Sequence, residues 1–316
     1  MGQLERVTEP SLLLIIPYFG AFPPYVSLFF ESCAANPTVN WLLVTDQSIH
    51  QDSLPKNVRV KRLNFSELVA HISQVMGFEV TIPHPYKLCD FKPAYGLIFE
   101  KDIEEFEFWG HCDMDMIFGN LKKFLTRDLF YKYDKLLICG HLSIYRNSLT
   151  ANNYFRLQAP GIDYRVIFAS PYNKWFDEWR GIAVILKHHN VPFFDEDIFA
   201  DIDTKYYDLR TVQGPNYKQQ IFYYEEGGIY KEYWDGTQWG RREYAYIHLQ
   251  KRLLHPPSFA LEKWPLRYFI TPKGFVLKSQ TAINMREVKR LNPRAAIFQQ
   301  ALHSIRILKK RVQSHF

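Results

Sequence analysis

The stretch Phe108-Trp109-Gly110-His111-Cys112-Asp113-Met114-Asp115-Met116-Ile117-Phe118-Gly119 runs from an aromatic segment into two aspartates one residue apart. Phe106–Asp113 predicts a strand that ends on the acidic pair. In extended backbone, residues i and i+2 project to one face, so Asp113 and Asp115 are expected side by side, about 7 Å apart. Two carboxylates so placed repel each other, and a hard divalent cation relieves the repulsion. Mg²⁺ or Mn²⁺ favours carboxylate oxygens and often takes phosphates as further ligands. An isolated Asp-x-Asp is most often a solvated turn. What favours the metal here is the apolar strand leading into the pair.

Upstream, Leu12-Leu13-Leu14-Ile15-Ile16 ends at Pro17, the pattern of a strand covered on both faces. Trp41–Asp46 repeats that pattern, and Val58–Leu63 alternates as a third strand. Pro24–Ala35 reads as a helix stopped before Pro37. Phe65, Leu68, Val69, Ile72, Val75 and Met76 mark one face of another helix, ended by Gly77. A further helix is expected within Cys89–Glu100, where Pro93 limits its start. Strand–helix alternation predicts an α/β fold with a mostly parallel, doubly wound sheet and flanking helices. Ligands of such sheets bind outside the carboxyl ends of the strands, where Tyr18, Asp46 and Asp113/Asp115 fall. No GxGxxG follows the first strand and no GxxxxGK(S/T) occurs, so the usual dinucleotide and P-loop markers are missing.

The second half is less regular. Lys135–Tyr145 contains a strand-like run. Gln220–Tyr224 and Ile229–Trp234 flank Glu225-Glu226-Gly227-Gly228 as an aromatic-rich β-hairpin, and Tyr244–Leu249 is a further strand. The expected organisation is residues 1–120 ending in the acidic motif, 121–283 completing the same domain, and a tail over 284–316.

Composition narrows the class. The chain has 316 residues, room for one large domain or two intimate ones. Aromatic residues make up 16%, enough for stacking surfaces as well as core. Cys33, Cys89, Cys112 and Cys139 form no CxxC pair, which argues for a reducing compartment and against zinc or disulfides. Glu5 and Glu9 before the short apolar run argue against a cleavable leader, and no segment approaches the length of a membrane span. The net charge is +6, yet from Asn284 onward eight Lys and Arg face only Glu287, a tail of +7 on a body near −1. A near-neutral body speaks against nucleic acid. In the tail Ile297, Ala301, Ile305 and Leu308 follow helical spacing, with Arg306, Lys309 and Lys310 on other faces. Such a helix lies on an anionic membrane surface or docks on its own domain.

Three groups carry further chemistry. If Tyr86-Lys87-Leu88-Cys89-Asp90-Phe91-Lys92 is helical, Lys87 and Asp90 share a face, with Lys92 beside it. They pair a phosphate-neutralising ammonium with a carboxylate, or form a surface ion pair. His248 is either a satisfied core residue or a neutral imidazole completing a Mn²⁺ site begun by carboxylates, with Lys251 and Arg252 beyond it to balance a diphosphate. Asp195-Glu196-Asp197 is a candidate general base or acceptor-hydroxyl ligand, or else a helix cap.

Ile16-Pro17-Tyr18-Phe19-Gly20, Pro85-Tyr86-Lys87-Leu88-Cys89-Asp90-Phe91-Lys92-Pro93 and Trp109-Gly110-His111-Cys112-Asp113-Met114-Asp115 resemble the bacterial GT-A-type (DxD) glycosyltransferases of capsular, exopolysaccharide and lipopolysaccharide biosynthesis clusters, over roughly residues 11–260. In more distant DxD transferases a Lys-x-x-Asp-x-x-Arg/Lys helix precedes the DxD strand, and a late His-x-x-Gly-x-Lys element completes the metal site. Here Lys92 follows Asp90 by two positions rather than three, and no glycine stands between His248 and Lys251.

The resemblance implies a GT-A-like fold, a Mn²⁺ or Mg²⁺ cofactor, a nucleotide-sugar donor (most often a UDP-sugar) and a glycan or lipid-linked oligosaccharide acceptor. It implies a place in the cytoplasm or on the inner face of the cytoplasmic membrane. Asp115 would bind the metal, Asp113 the metal or the ribose, His248 would be the third protein ligand and Lys251 would face the diphosphate. Tyr18 or Phe19 would stack on the base, Asp46 would hydrogen-bond it, and Lys87 and Asp90 would hold the phosphate–sugar portion. The acceptor hydroxyl would be delivered near His141, Arg146 or Asp195, Glu196 and Asp197, and Tyr223, Tyr230 and Trp234 would stack on its sugars or serve the hairpin's own packing. A metal-dependent nucleotidyltransferase or phosphohydrolase would use the same carboxylates. A non-catalytic carbohydrate-binding assembly protein would keep the fold without the reaction.

Overall fold

A computed structural model describes residues 9–250, 252–261, 266–279, 283–294, 300–301 and 303–305. They fall into two compact units. The first takes in the chain up to Ala21, Pro37–Met114 and Leu125–Glu196; the second takes in Phe22–Asn36, Asp115–Phe124 and the chain from Asp197 onward. The boundary expected near residue 120 divides roles along the chain. Compactness divides it differently, returning residues 125–196 to the first unit and breaking the acidic motif between Met114 and Asp115.

The first unit is built on a six-stranded sheet. Leu12–Ile16 carries no side chain that needs water, and it forms β1 (Leu12–Pro17), buried from Leu12 to Ile16. β2 (Val39–Thr45), β3 (Val58–Arg62) and β4 (Phe108–Cys112) extend a parallel set around it. The chain next forms β5 (Met116–Phe118), which belongs to the second unit, and then β6 (Lys135–Cys139) and β7 (Leu142–Arg146). These last two are antiparallel and complete the order β3-β2-β1-β4-β7-β6. The run expected at Lys135–Tyr145 is therefore two strands around a Gly140–His141 turn. Parallel pairing dominates the sheet, as the alternation of strands and helices predicts.

Helix Phe65–Met76 starts where Glu67 Oε2 accepts from Asn64 N at 2.7 Å and stops at Gly77, whose φ is +75°. Its Leu68, Ile72 and Met76 join Leu13, Ile15, Leu42 and Val44 in one core. The helix expected within Cys89–Glu100 takes another form: a 3₁₀ helix, Pro85–Ala94, followed by short α-turns Tyr95–Ile98 and Glu100–Ile103. Pro93 has no N–H to give an α ladder. Three residues per turn eclipse positions i and i+3, which sets Lys87 directly against Asp90.

The second unit holds two sheets. β8 (Ala200–Asp201), β9 (Gln219–Glu225), β10 (Gly228–Trp234), β11 (Trp239–Tyr244), β12 (Tyr246–His248), β13 (Arg267–Thr271) and β14 (Gly274–Leu277) follow in chain order. One sheet is antiparallel, β11-β10-β9-β13-β14; the other is short, β5-β12-β8. Pairing of β9 with β10 continues to Glu225–Gly228, so Gly228 belongs to β10 and the expected Gly227-Gly228 turn falls one residue earlier, at Glu226-Gly227. Both turn residues have positive φ, 51° and 83°, the twist a two-residue hairpin requires. The expected strand Tyr244–Leu249 is interrupted at Ala245, where the chain leaves β11 for β12 in the other sheet. Leu28 of helix Val26–Ala34 packs with Ile117, Phe222, Ile229, Ile247 and Tyr268.

The first part of the basic tail is docked. Helix Met285–Leu291 places Val288 and Leu291 against Ile221, Tyr223 and Phe269, and Asn292 Oδ1 accepts from Leu209 N at 2.9 Å. Ile297, Leu308, Arg306, Lys309 and Lys310 lie outside the described residues. Among the described residues no helix is long and apolar enough to cross a membrane.

Candidate active site

Within the second unit the short sheet brings Asp115 and His248 together. β12 lies between β5 and β8 in a register that pairs His248 with Met116 on one side and Asp201 on the other. Leu249 N donates to Asp115 O at 2.9 Å, carrying the ladder one step past Met116. His248 Nε2 stands 3.4 Å from Asp115 Oδ1, and Nδ1 stands 2.8 Å from Asp201 Oδ1. Gln250 Nε2 donates to the same Asp201 oxygen at 2.7 Å. All of Asp115, Asp201 and His248 are buried. Burial works against charge on the imidazole, but Asp115 and Asp201 outweigh it and raise the pKa from 6.5 to about 10.

A place that holds a proton this firmly suits a cation. Carboxylate oxygen with imidazole nitrogen is a donor pair that Mn²⁺ accepts readily. The Asp201 contact takes Nδ1, and Nε2 is the nitrogen nearest Asp115, so Nε2 would face an ion held at Asp115. These residues fit a divalent ion. Asp201 is absent from the sequence-based candidates, since nothing marks it until β8 is known to pair with β12.

Within the first unit, Tyr18, Asp46 and Asp113 follow directly on β1, β2 and β4. They stand at the carboxyl ends of three neighbouring parallel strands, the ligand-binding edge of such sheets. Tyr18 N donates to Val44 O at 2.8 Å, and Phe19 meets Phe65 edge-on at 5.3 Å. Asp46 is exposed and accepts from Gln47 Nε2 at 2.9 Å. Asp113 does not continue in extended backbone to Asp115 as expected. The chain bends at Met114 and Asp115, so the i, i+2 rule does not set how the two carboxylates face.

Asp113 is tied to a cluster. Its N donates to His141 O at 2.9 Å, and its Oδ1 accepts from Lys92 Nζ at 2.7 Å. Lys92 also donates to Gly140 O at 2.7 Å and stands 3.4 Å from Asp177 Oδ2. Burial alone would depress the Lys92 ammonium, but Asp113, Cys89 and Asp177 outweigh it and hold it well above its usual value. Asp177 is only 3% exposed. Burial, opposed by Lys92 and reinforced by Glu178 and Asp113, raises its carboxyl from 3.8 to about 7. Gly140 makes room for this cluster: a Cβ there would stand 2.7 Å from Asp177 Oδ2 and 2.9 Å from Glu178 Oε1. Asp177 also escapes the sequence reading, because an Asp-Glu between tryptophans looks like solvated surface. Burial, then Cys89, Asp113 and Asp177, push the Tyr86 phenol up, so its hydroxyl senses the same charges.

Other expected residues sit elsewhere. Lys87 and Asp90 do pair, at 2.6 Å, but both are fully buried. Lys87 Nζ donates to the carbonyls of Ile167 and Tyr172, and Asp90 accepts from the backbone N of Lys174 and Phe176. Burial lowers the Lys87 ammonium, with Asp90 opposing. Asp195-Glu196-Asp197 lies in connecting chain between Phe194 and β8, with no helix for it to cap; Glu196 and Asp197 are exposed. Lys251 lies outside the described residues. Tyr223 is buried against Tyr230 and Phe269, and Trp234 meets Trp239 at 5.7 Å, so hairpin packing accounts for them. Arg146 pairs with Asp134 at 2.6 Å.

Residues 14–279 match the model of a family described as a family of unknown function, DUF6625. No curated protein matches the sequence. Among solved structures, mouse xyloside xylosyltransferase 1 in its apo form is similar over 62% of this chain and 89% of its own, at 10% identity and a TM-score of 0.38. The glycosyltransferase GlyE of Streptococcus pneumoniae TIGR4 is similar over 60% of this chain and 46% of its own, at 12% identity and a TM-score of 0.32. Neither likeness bears on the chemistry, which stands on the residues of the site.

Proposed function

We propose that this chain, which belongs to the DUF6625 family of unknown function, is a metal-dependent glycosyltransferase that moves a sugar from a nucleotide-sugar donor to a glycan acceptor. The observation that carries the reading is His248, set between Asp115 at 3.4 Å and Asp201 at 2.8 Å in the short sheet. Asp115 and His248 hold Mn²⁺ or Mg²⁺, and Asp113, two positions earlier, contacts the metal or the ribose. Tyr18 or Phe19 stacks on the base, Asp46 hydrogen-bonds it, and Lys251 faces the diphosphate. The ion supplies Lewis-acid stabilisation of the departing nucleoside diphosphate.

Lys87 and Asp90 act indirectly, by fixing the backbone of the segment that carries Asp177. Burial raises the Asp177 carboxyl to about 7 with Lys92 at 3.4 Å opposing, so Asp177 tunes the charge around the Lys92–Asp113 pair. Asp195, Glu196 and Asp197 supply the general base or bind the acceptor hydroxyl. The donor is a UDP-sugar and the acceptor a growing surface polysaccharide or lipid-linked glycan at the inner face of the cytoplasmic membrane.

The test is thermal stabilisation by a panel of nucleotide sugars, with and without Mn²⁺. At a hundredfold excess over the dissociation constant, a true donor adds about 2.7 kcal/mol of stability, and only with the metal. A panel that leaves the melting temperature unmoved in Mn²⁺ and in Mg²⁺ sinks the reading. Release of free sugar without acceptor would assign a hydrolase instead.

Membrane contact is proposed for the end of the tail, since Met285–Leu291 is already packed on the second unit. Deleting residues 306–316 removes Arg306, Lys309, Lys310 and Arg311. At about 1 kcal/mol per basic residue, binding to anionic liposomes should fall by roughly two to three orders of magnitude. Turnover on a soluble acceptor should stay unchanged. Equal liposome binding by the truncated protein counts against the contact.

A further inference from the structure

Segment Tyr172–Trp179 of the first unit displays large rings on a fixed backbone. Tyr172 is 73% exposed, Trp175 53% and Trp179 46%. Exposed indoles are ordinary on a loose loop, but this segment is clamped from below. The Asp90 carboxylate accepts from the backbone N of Lys174 at 2.8 Å and of Phe176 at 3.0 Å. Lys87 donates to the Tyr172 carbonyl at 2.8 Å, and both members of that ion pair are fully buried. Phe176 is buried and packs on Phe168. Trp175 itself is held at φ +52°, a conformation that residues with a Cβ rarely adopt. A buried ion pair and a strained residue thus serve to present aromatic rings to solvent.

We propose that Trp175 and Trp179 form the stacking platform of an acceptor-glycan subsite. A pyranose ring offers C–H groups on its faces and hydroxyls around its rim, so it lies on an aromatic face while its hydroxyls keep polar partners. The occupant follows from Asp177. It stands two residues from each indole in the chain, yet it turns inward to Lys92 at 3.4 Å, which in turn holds Asp113 at 2.7 Å. Two residues span at most about 7 Å of backbone, roughly the length of one sugar ring. A glycan resting on either indole therefore lies about one sugar ring along the chain from Asp177, whose partner Lys92 also holds Asp113, the one side chain of the cluster that is 31% exposed. Neither a membrane surface nor a second copy of the chain has a use for that juxtaposition. The identity of the occupant as acceptor rests on the transferase reading; the platform itself does not.

The experiment uses the full chain on a glycan microarray, followed by tryptophan-fluorescence titration with the best-bound oligosaccharide and with cellohexaose, maltohexaose and chitohexaose. The variant is Trp175→Asn with Trp179→Ala; Asn is chosen because it tolerates the left-handed backbone. Expected are oligosaccharide binding by the wild type, binding at least about tenfold weaker in the variant, as loss of two stacked rings predicts, an unchanged melting temperature, and full Mn²⁺-dependent stabilisation by the nucleotide sugar. Trp179→Phe should retain most of the binding. Absence of any bound oligosaccharide, or equal binding by the variant, overturns the subsite. So does concentration-dependent self-association lost in the variant without glycan binding, which would assign the rings to a second copy. Glycan binding by a protein that takes no nucleotide sugar upholds the platform and sinks the transferase reading alone.

Discussion

Asp115→Asn and His248→Ala should each abolish Mn²⁺-dependent stabilisation by the nucleotide sugar and lower transfer about a thousandfold. Metal stabilisation of a leaving diphosphate is worth several kcal/mol, and each 1.36 kcal/mol is a factor of ten in rate. Asp201→Asn is expected to be milder, about 10- to 100-fold in Mn²⁺ affinity, because its carboxylate contacts His248 Nδ1 at 2.8 Å and so orients the imidazole. The grading separates ligands from the residue that orients one of them. The pH dependence gives a second readout. The folded-state pKa of His248 is about 10 against an ordinary 6.5, so the protonated imidazole stabilises the metal-free fold below about 6.5. That contribution fades as pH rises toward 10. A metal must displace the same proton, so Mn²⁺ affinity should climb about tenfold per pH unit between pH 7 and 9. His248→Ala removes both slopes. Undiminished Mn²⁺ binding by either ligand variant, measured calorimetrically at pH 8, takes these residues out of the metal site.

The parallel part of the sheet was legible because β1 and β2 are apolar runs buried on both faces, and such runs have few other destinations. Asp113 and Asp46 were legible as strand ends for the same reason. What could not be read was anything that depends on which strand lies beside which. Asp201 becomes significant only because β12 sits beside β8, and the two are separated by most of the antiparallel sheet in sequence. The contact of Lys87 with Asp90 is legible in sequence, since i, i+3 contact is local. Their full burial is not, because it depends on chain some eighty residues later, where Lys174 and Phe176 donate to Asp90. Asp177 is the converse case: its surroundings in sequence are polar and aromatic, and only tertiary packing places it beside Lys92.

Lys92→Met should be the most destabilising single change in the first unit. One ammonium there serves Asp113 at 2.7 Å, Asp177 at 3.4 Å and the Gly140 carbonyl at 2.7 Å. Removing one partner of a buried ion pair typically costs about 3–5 kcal/mol, because the charge left behind keeps its desolvation penalty. The cost should depend on pH in a defined direction. Burial raises the Asp177 carboxyl from 3.8 to about 7 even with Lys92 opposing. A folded-state value above the unfolded one means the native protein binds the proton more tightly, so stability declines as pH rises from about 4 through 7. Without Lys92 the carboxyl moves further up, and the decline continues to higher pH. The Lys92→Met protein should therefore lie furthest below wild type in thermal melts at pH 8 and closest to it at pH 5, where Asp177 is protonated in both. Lys92→Met with Asp177→Asn should recover a substantial part of the loss at pH 8 and little at pH 5, since an amide carries no charge to strand. Equal deficits at both pH values, or no recovery in the double variant, would show that Lys92 is not the counter-charge that keeps Asp177 and Asp113 together.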